Sequence, residues 1–251
     1  MPVASPVSER STVAALLLLT FATGLADAIS ILVLGHVFVA NMTGNVIFLG
    51  FWLAPRTTID LTAVVVALPT FVCTTIVSGR LARHFDARVR PWIITVLATE
   101  IALLVTLSVL AGSGVLHYHD NSKLIMIGLL AVTFGLQHSS ARQFGIQELS
   151  TTVLTSTIVS LGLDSHLAGG TGAREKLRFS VVFTMCAGAL VGATMSRFVV
   201  APVFAVTAAV VAASLLIFRF GPAGGDREGG EPGAGGTPAE LGDGSPPSRS
   251  S

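Results

Sequence analysis

The stretch Gly24 to Asn45, GLADAISILVLGHVFVANMTGN, sets an acid, a histidine and two asparagines inside a run apolar enough to cross a membrane. A charged side chain at the bilayer centre costs roughly 2.5–3.5 kcal/mol on insertion scales, so Asp27 needs a polar cavity or a partner. Thr20, Thr23, Asp27 and Ser30 recur at three- and four-residue spacing, which gathers them on one helical face beside Gly24. Such a stripe suits hydrogen bonding to a solute or the passage of a proton. Asn41, Thr43, Gly44 and Asn45 add uncharged donors and acceptors, with a glycine where the backbone needs freedom to break a helix. A broken helix opens N–H and C=O groups to a solute, tolerated only where the backbone faces protein or a water-filled cavity. The same residue types also glue membrane helices together. Spacing alone does not separate the two roles.

Three more groups could do chemistry. Glu100 is central in WIITVLATEIALLVTLSVLAG, with mostly apolar neighbours three and four positions away. An isolated acid there must find a cation or take up a proton, and His138, Arg142 or a helix end is its candidate partner. His138 and Arg142 stand four apart in FGLQHSSARQFG, and a histidine can relay protons near neutrality. Thr151, Thr152, Thr155 and Ser156, with Ser160 one turn on, form a hydroxyl-rich face in LSTTVLTSTIVSLGL. Asp27, Asn41, Thr43, Gly44, Asn45, His138, Thr152 and Thr155 are therefore the candidate solute-binding residues, and Asp27 and Glu100 the candidate proton carriers.

The elements that must position these groups are membrane helices. The chain has 251 residues, 51% hydrophobic and 12% charged, with a mean hydropathy of +0.76. A soluble protein is about 25% charged. Windows near Val13–Gly35, Ile59–Gly79, Trp92–Ala111, Lys123–Ala141, Leu177–Met195 and Val199–Phe218 each approach the length of a spanning helix. Two further segments, His36–Ala54 and Leu149–Leu163, are either crossings or re-entrant pieces. Charge decides between them. Six spans with a cytoplasmic N-terminus put Arg10, the loop GRLARHFDARVRP, Arg142, Arg174, Lys176, Arg178 and Arg219 inside, leaving Arg56, Lys123 and Arg197 outside. Eight spans abolish that asymmetry. A seven-span arrangement with an external N-terminus is the rival.

The two halves echo one another. Gly24-Leu25 before Asp27 has its counterpart in Gly135-Leu136 before His138, and Asn41-Met42-Thr43-Gly44-Asn45 in Val153-Leu154-Thr155-Ser156-Thr157. Cys73 and Cys186 fall at similar separations, as do Arg80 and Arg197. Three spans per half would orient the halves oppositely, the inverted-repeat plan of many secondary transporters. The expected fold is thus an all-α polytopic membrane protein with six transmembrane helices and two short broken or re-entrant segments. Residues 1–11 are read as a cytoplasmic N-terminus and 12–220 as the membrane domain, with halves at about 12–112 and 123–220. The Gly/Pro/Ser-rich residues 221–251 lack the apolar residues to offset ordering entropy and are read as a disordered cytoplasmic tail.

Weaker signals point to structure. Arg10, an apolar run and Ala26-Asp27-Ala28 imitate a cleaved signal peptide, but the apolar run continues past Asp27. Both cysteines lie within spans and read as small buried hydrophobes. Gly188 and Gly192 form a small-residue packing face. Pro69 is expected to kink its helix, and Trp52, Trp92 and Tyr118 to sit in aromatic belts. HYHD at 117–120 is a poor ligand set for a metal. No P-loop lysine signature, HExxH, G-x-S-x-G or CxxC array is present. No enzyme activity, cofactor or metal is expected.

GLADAISILVLGHVFVANMTGNVIFLG, the basic exit SGRLARHF, FGLQHSSARQFG and STTVLTSTIVSLG together resemble the YoaK-like bacterial inner-membrane proteins of unknown function. Gly-x-x-Asp-Ala followed by Phe-x-x-Asn-x-Thr-Gly-Asn is the specific element, and the resemblance covers about residues 12–220. It implies six membrane helices and a permease-like role, with no reaction attached. Thr155-Ser156 stands where Thr-Gly is expected, and His138 where an Asn is expected. The expected function is transport of a small polar or anionic solute in the bacterial cytoplasmic membrane, with both termini cytoplasmic. The rival is a non-catalytic scaffold or sensor. The lipid bilayer and the solute are the implied partners, a homo-oligomer is left open, and nucleic acid is not expected.

Overall fold

A computed structural model describes residues 5–53, 60–85, 89–117, 121–142, 154–165, 168–172 and 174–222. The tail after 222 and Thr152 lie outside them, as do residues 118–120 of the HYHD loop. Among the described residues the secondary structure is helical throughout. It comprises α1 (Glu9–Leu32), α2 (Met42–Gly50) with a 3-10 turn at Phe51–Leu53, α3 (Leu61–His84), α4 (Val89–Gly112), α5 (Lys123–Ala141), α6 (Leu154–Leu163), α7 (Glu175–Ser196) and α8 (Ala201–Phe220). All except α2 and α6 are long and apolar enough to cross a membrane, which makes six spans among the described residues. At 1.5 Å per residue the nine residues of α2 reach only about 14 Å, far short of a bilayer core of about 30 Å. The six-span expectation holds, and the seven-span rival fails on length.

Local chemistry sets the helix ends. Ser8 caps α1, its hydroxyl accepting the Ser11 N–H at 3.3 Å. Asp60 caps α3 by accepting from Thr62 and Ala63 at 3.1 and 3.2 Å. Gly35 (φ 128°) and His36 (φ 57°) reverse the chain after α1. Consecutive positive φ values end a helix and turn the backbone back on itself, and the first position is a glycine because no other residue adopts it easily.

Contacts at the helix ends fix directions. The Ser8 N–H donates to the Pro222 carbonyl at 2.9 Å, so α1 begins where α8 ends. Arg90, at the start of α4, donates to the last carbonyls of α8, Phe218 at 3.2 Å and Arg219 at 2.7 Å. At the opposite end the Ser108 hydroxyl donates to the Ala201 carbonyl at 2.8 Å, and Lys123 pairs with Asp60 at 2.7 Å. Arg10, Arg80, Arg83, Arg90, Arg142, Arg174, Lys176, Arg178 and Arg219 therefore share the end that holds both ends of the described chain. Lys123 and Arg197 lie at the other.

Helix α1 is the hub. It packs on α7 and α8 and touches α5, while α4 packs on α8 and α5, α3 on α5, α2 on α3, and α6 on α7. The most apolar stretch of α1 is 72% buried, against 17% for α7. The α1–α7 crossing is close because it is lined by glycines. A Cβ on Gly24 would strike the Met185 carbonyl, one on Gly188 the Phe21 carbonyl, and one on Gly192 would sit 2.7 Å from the Leu25 carbonyl oxygen. Gly135 plays the same part where α5 meets α3, with Thr74 and the Phe71 carbonyl in the space a Cβ would take. The Ser139 hydroxyl donates to Ser78 at 2.6 Å across the same contact.

Two expectations need correction. Cys73 and Cys186 are free but exposed on the outer faces of α3 and α7, not buried. Trp92 is 2% exposed and stacks at a tilt on Phe85 at 5.5 Å, so it is a core residue and not a belt residue. Trp52 is 62% exposed.

Candidate functional site

Because Ser8 starts α1 four residues before the apolar window does, Asp27 falls roughly 10 Å past the helix midpoint, at 1.5 Å per residue, and not at the centre of the span. The reversal at Gly35–His36 brings residues 37–41 back alongside it. One carboxylate oxygen accepts the Val39 and Ala40 N–H groups, both at 2.9 Å. The other accepts the Asn41 N–H at 3.2 Å and the Asn41 side-chain amide at 2.5 Å. Three successive backbone N–H groups make a concave anion nest, and here a side chain of the same protein fills it. Four donors offset the cost of burying the charge, and Asp27 is buried.

Asn45 anchors the short helix α2. Its Oδ1 accepts the Phe38 N–H at 2.9 Å and its Nδ2 donates to the Phe38 carbonyl at 2.6 Å. Phe38 in turn lies over Gly44, where any Cβ would strike its ring, and stacks on Phe48 at 5.8 Å. Asn45 is the buried residue of α2. Thr43, Val46, Ile47 and Gly50 form its exposed face. Asn41 precedes α2, but its side chain is spent on Asp27 and does not cap the helix.

In the second half, Thr155 is exposed and Thr157 is the buried residue of α6. Thr157 is thus the positional counterpart of Asn45, and the exposed Thr155 that of the exposed Thr43, as the echo between the two pentapeptides implies. The His138 ring meets the Phe134 carbonyl at 2.8 Å and stands edge-on to Phe71 of α3 at 5.7 Å. Its neighbour Gln137 is the residue that reaches α1, donating to the Thr23 hydroxyl at 3.0 Å and the Leu19 carbonyl at 3.3 Å. Thr20, Thr23 and Ser30 are buried and turn their hydroxyls onto carbonyls of their own helix. The stripe around Asp27 is a packed seam. Among the described residues, α2 and α6 are not packed extensively on one another, and no group of three His, Cys, Asp or Glu side chains could hold a metal ion.

Glu100 is different in kind. It lies at the midpoint of α4, in the buried seam Ile93, Leu97, Glu100, Leu104 and Leu107, and is 0% exposed. Neither carboxyl oxygen has a hydrogen-bond partner among the described residues, and the Gln137 side-chain carbonyl is in the same position. Among the described residues the orphaned buried groups thus include these three acceptors and one donor on α4, Trp92 Nε1, whereas Asp27 is fully engaged. What such a core can accept is a hydrogen-bond donor or a proton.

Residues 15–217 match a family described as "Protein of unknown function (DUF1275)". The chain is also 34% identical over 154 residues to the UPF0700 transmembrane protein YoaK of Bacillus subtilis (strain 168), a match covering 61% of this chain and 65% of that protein. It therefore spans slightly less than two thirds of that relative's length. No solved structure matches. The family match starts within α1, ends within α8 and takes in every helix between, so this multi-pass membrane protein belongs to the DUF1275 family.

Proposed function

We propose that the protein is a small-solute transporter, a permease whose polar site lies between two oppositely oriented halves. The observation that carries this reading is the pair of short helices: α2 approaches from one end of the bundle and α6 from the other, each seated by one buried polar side chain, Asn45 or Thr157. The helix packing supports the repeat. Exchanging α1–α4 for α5–α8 turns the α1–α7 contact into α5–α3, α1–α8 into α5–α4, and α2–α3 into α6–α7. Gly24 and Gly135, equivalent in the sequence echo, each open a close crossing with the opposite half. In this reading Asp27 and Asn45 hold the helix break in place, and the exposed hydroxyls of Thr43 and Thr155 are the groups a solute meets. Of the two acids named for proton coupling, Asp27 is engaged by four donors, and Glu100 is the one with unengaged oxygens among the described residues. The basic end of the bundle faces the cytoplasm of a bacterial inner membrane, following the positive-inside rule.

Reconstitution into vesicles with a panel of small polar and anionic solutes tests it. Uptake that Thr43→Val and Thr155→Val both reduce is the expected result. Uptake that survives these variants and also Asn45→Ala sinks the assignment of the site.

One observation favours a second reading, a non-catalytic scaffold or sensor: the Asp27 carboxylate is taken up by four donors, and both ends of the Asn45 amide are taken up by the Phe38 backbone. On that reading Asp27→Asn lowers the melting temperature, and no solute in the panel shifts it.

A further inference from the structure

We propose that Glu100 binds and releases a proton in the centre of the bundle, with the side-chain carbonyl of Gln137 as the acceptor for its acid hydrogen. The inference deepens the transport reading by naming the coupled ion, and it rests on that reading for its purpose though not for its test.

Geometry argues first. Glu100 is at the middle of α4 and wholly buried, with both oxygens unpartnered among the described residues. Gln137 lies on α5, which packs on α4, and spends its two amide hydrogens toward α1, which leaves its carbonyl oxygen without a donor among the described residues. Glu100 is twelve residues before the end of α4 and Gln137 fourteen after the start of α5, so they lie about 18 and 21 Å along their helices from the α4–α5 connection at 1.5 Å per residue. A protonated carboxyl supplies one donor where Glu100 and Gln137 otherwise bring only acceptors; the orphaned donor on α4, Trp92 Nε1, is eight residues away, about 12 Å along the helix.

The charged alternatives are placed elsewhere. Of the elements packed on α4, α8 contributes Arg219, at the basic end beside Arg90 of α4 itself. Helix α5 contributes Lys123, paired with Asp60 at the far end, and His138, set against Phe71. Arg142 caps α5 at the basic end. A bound metal cation is a poorer fit than a proton: hard cations take about six or more oxygens, and three orphaned oxygens are present. Asp27 is a poor carrier, because protonating it would displace one of four donors.

Dicyclohexylcarbodiimide tests the proposal on the full chain in vesicles. The reagent enters apolar interiors and adds to a protonated carboxyl: the acid hydrogen passes to a carbodiimide nitrogen, the carboxyl oxygen bonds to its central carbon, and rearrangement gives a stable N-acylurea. Peptide mass spectrometry is expected to find the adduct at Glu100, with a yield that falls as pH rises and is lost in Glu100→Gln. Gln137→Leu should move the pH at half-maximal yield. An unmodified Glu100 at every pH tried overturns the proposal, as does protection by sodium ions at fixed pH, which would mark a metal-cation site. The wild-type adduct needs no variant to fold. A pH-dependent adduct without uptake of any solute leaves the proton site standing and removes the transport reading alone.

Discussion

The side chain of Asn45 pairs with the backbone of Phe38 as a neighbouring strand would, giving one hydrogen bond at 2.6 Å and taking one at 2.9 Å. This reciprocal pair binds α2 to the chain that precedes it. Asn45→Ala strips both partners from a partly buried peptide and should cost about 1–3 kcal/mol. Asn45→Asp should cost more, since it faces the Phe38 carbonyl with a second acceptor. Unfolding in mild detergent, followed by circular dichroism, measures both.

The clasp on Asp27 makes a sharper forecast. Asp27→Asn keeps the shape but points an amide donor at N–H groups that need an acceptor. With hydrogen bonds to a charged group contributing about 1.5–3 kcal/mol each, the variant should lose about 3 kcal/mol or more. Protease cutting within residues 36–41 should rise in parallel. Wild-type stability and an uncut loop would show that the clasp does not hold the break.

Gly44 and Phe38 should behave as a coupled pair. Gly44→Ala pushes a methyl group into the Phe38 ring, an overpacking that typically costs about 1–3 kcal/mol. In a Phe38→Leu background the cost should fall below about 1 kcal/mol. Strict additivity of the two single changes, with coupling under about 0.5 kcal/mol, would contradict the contact.

The Asp60–Lys123 pair is the device with a pH signature outside the spans. Partial burial pushes the Asp60 carboxyl up, but the Lys123 ammonium and the Ala63 and Thr62 N–H groups outweigh it and hold it below its ordinary value. A depressed folded-state value adds stability above the unfolded carboxylate value of about 4 and loses it as pH falls through the folded value. Lys123→Met should therefore cost about 0.2–1 kcal/mol at neutral pH. The gap from wild type should close in acid below about pH 4. A gap independent of pH would assign the loss to packing.

Much of the architecture was legible because membrane helices announce themselves by length and hydropathy, and because arginines gather at one end. The break after α1 was legible at Gly35-His36, where the backbone does turn over, but Gly44, expected to break a helix, lies inside α2 and instead makes room for the Phe38 ring. Helical phase was not. One residue rotates a side chain by about 100°, enough to put Gln137 on α1 while His138 lies against α3. Two residues put Thr155 and Thr157 on nearly opposite faces of α6. A ten-residue helix with hydroxyls on most sides carries no periodicity that selects the inner one. Three of the four donors to Asp27 were hidden for another reason: they are backbone N–H groups of Val39, Ala40 and Asn41. Any residue except proline could supply them.

The hub position of α1 bears on how the chain is assembled. Translation delivers α1 before the other helices, yet the α7 and α8 surfaces that enclose it are made last. Through most of synthesis α1 must wait at the insertion machinery or in lipid with its glycine face uncovered. Its costliest residue does not have to wait as long. The N–H groups that receive the Asp27 carboxylate lie only twelve to fourteen residues further along the chain, so the acid can be satisfied locally while the helix is still a lone insert. On this ordering, the clasp serves biogenesis before it serves the finished bundle.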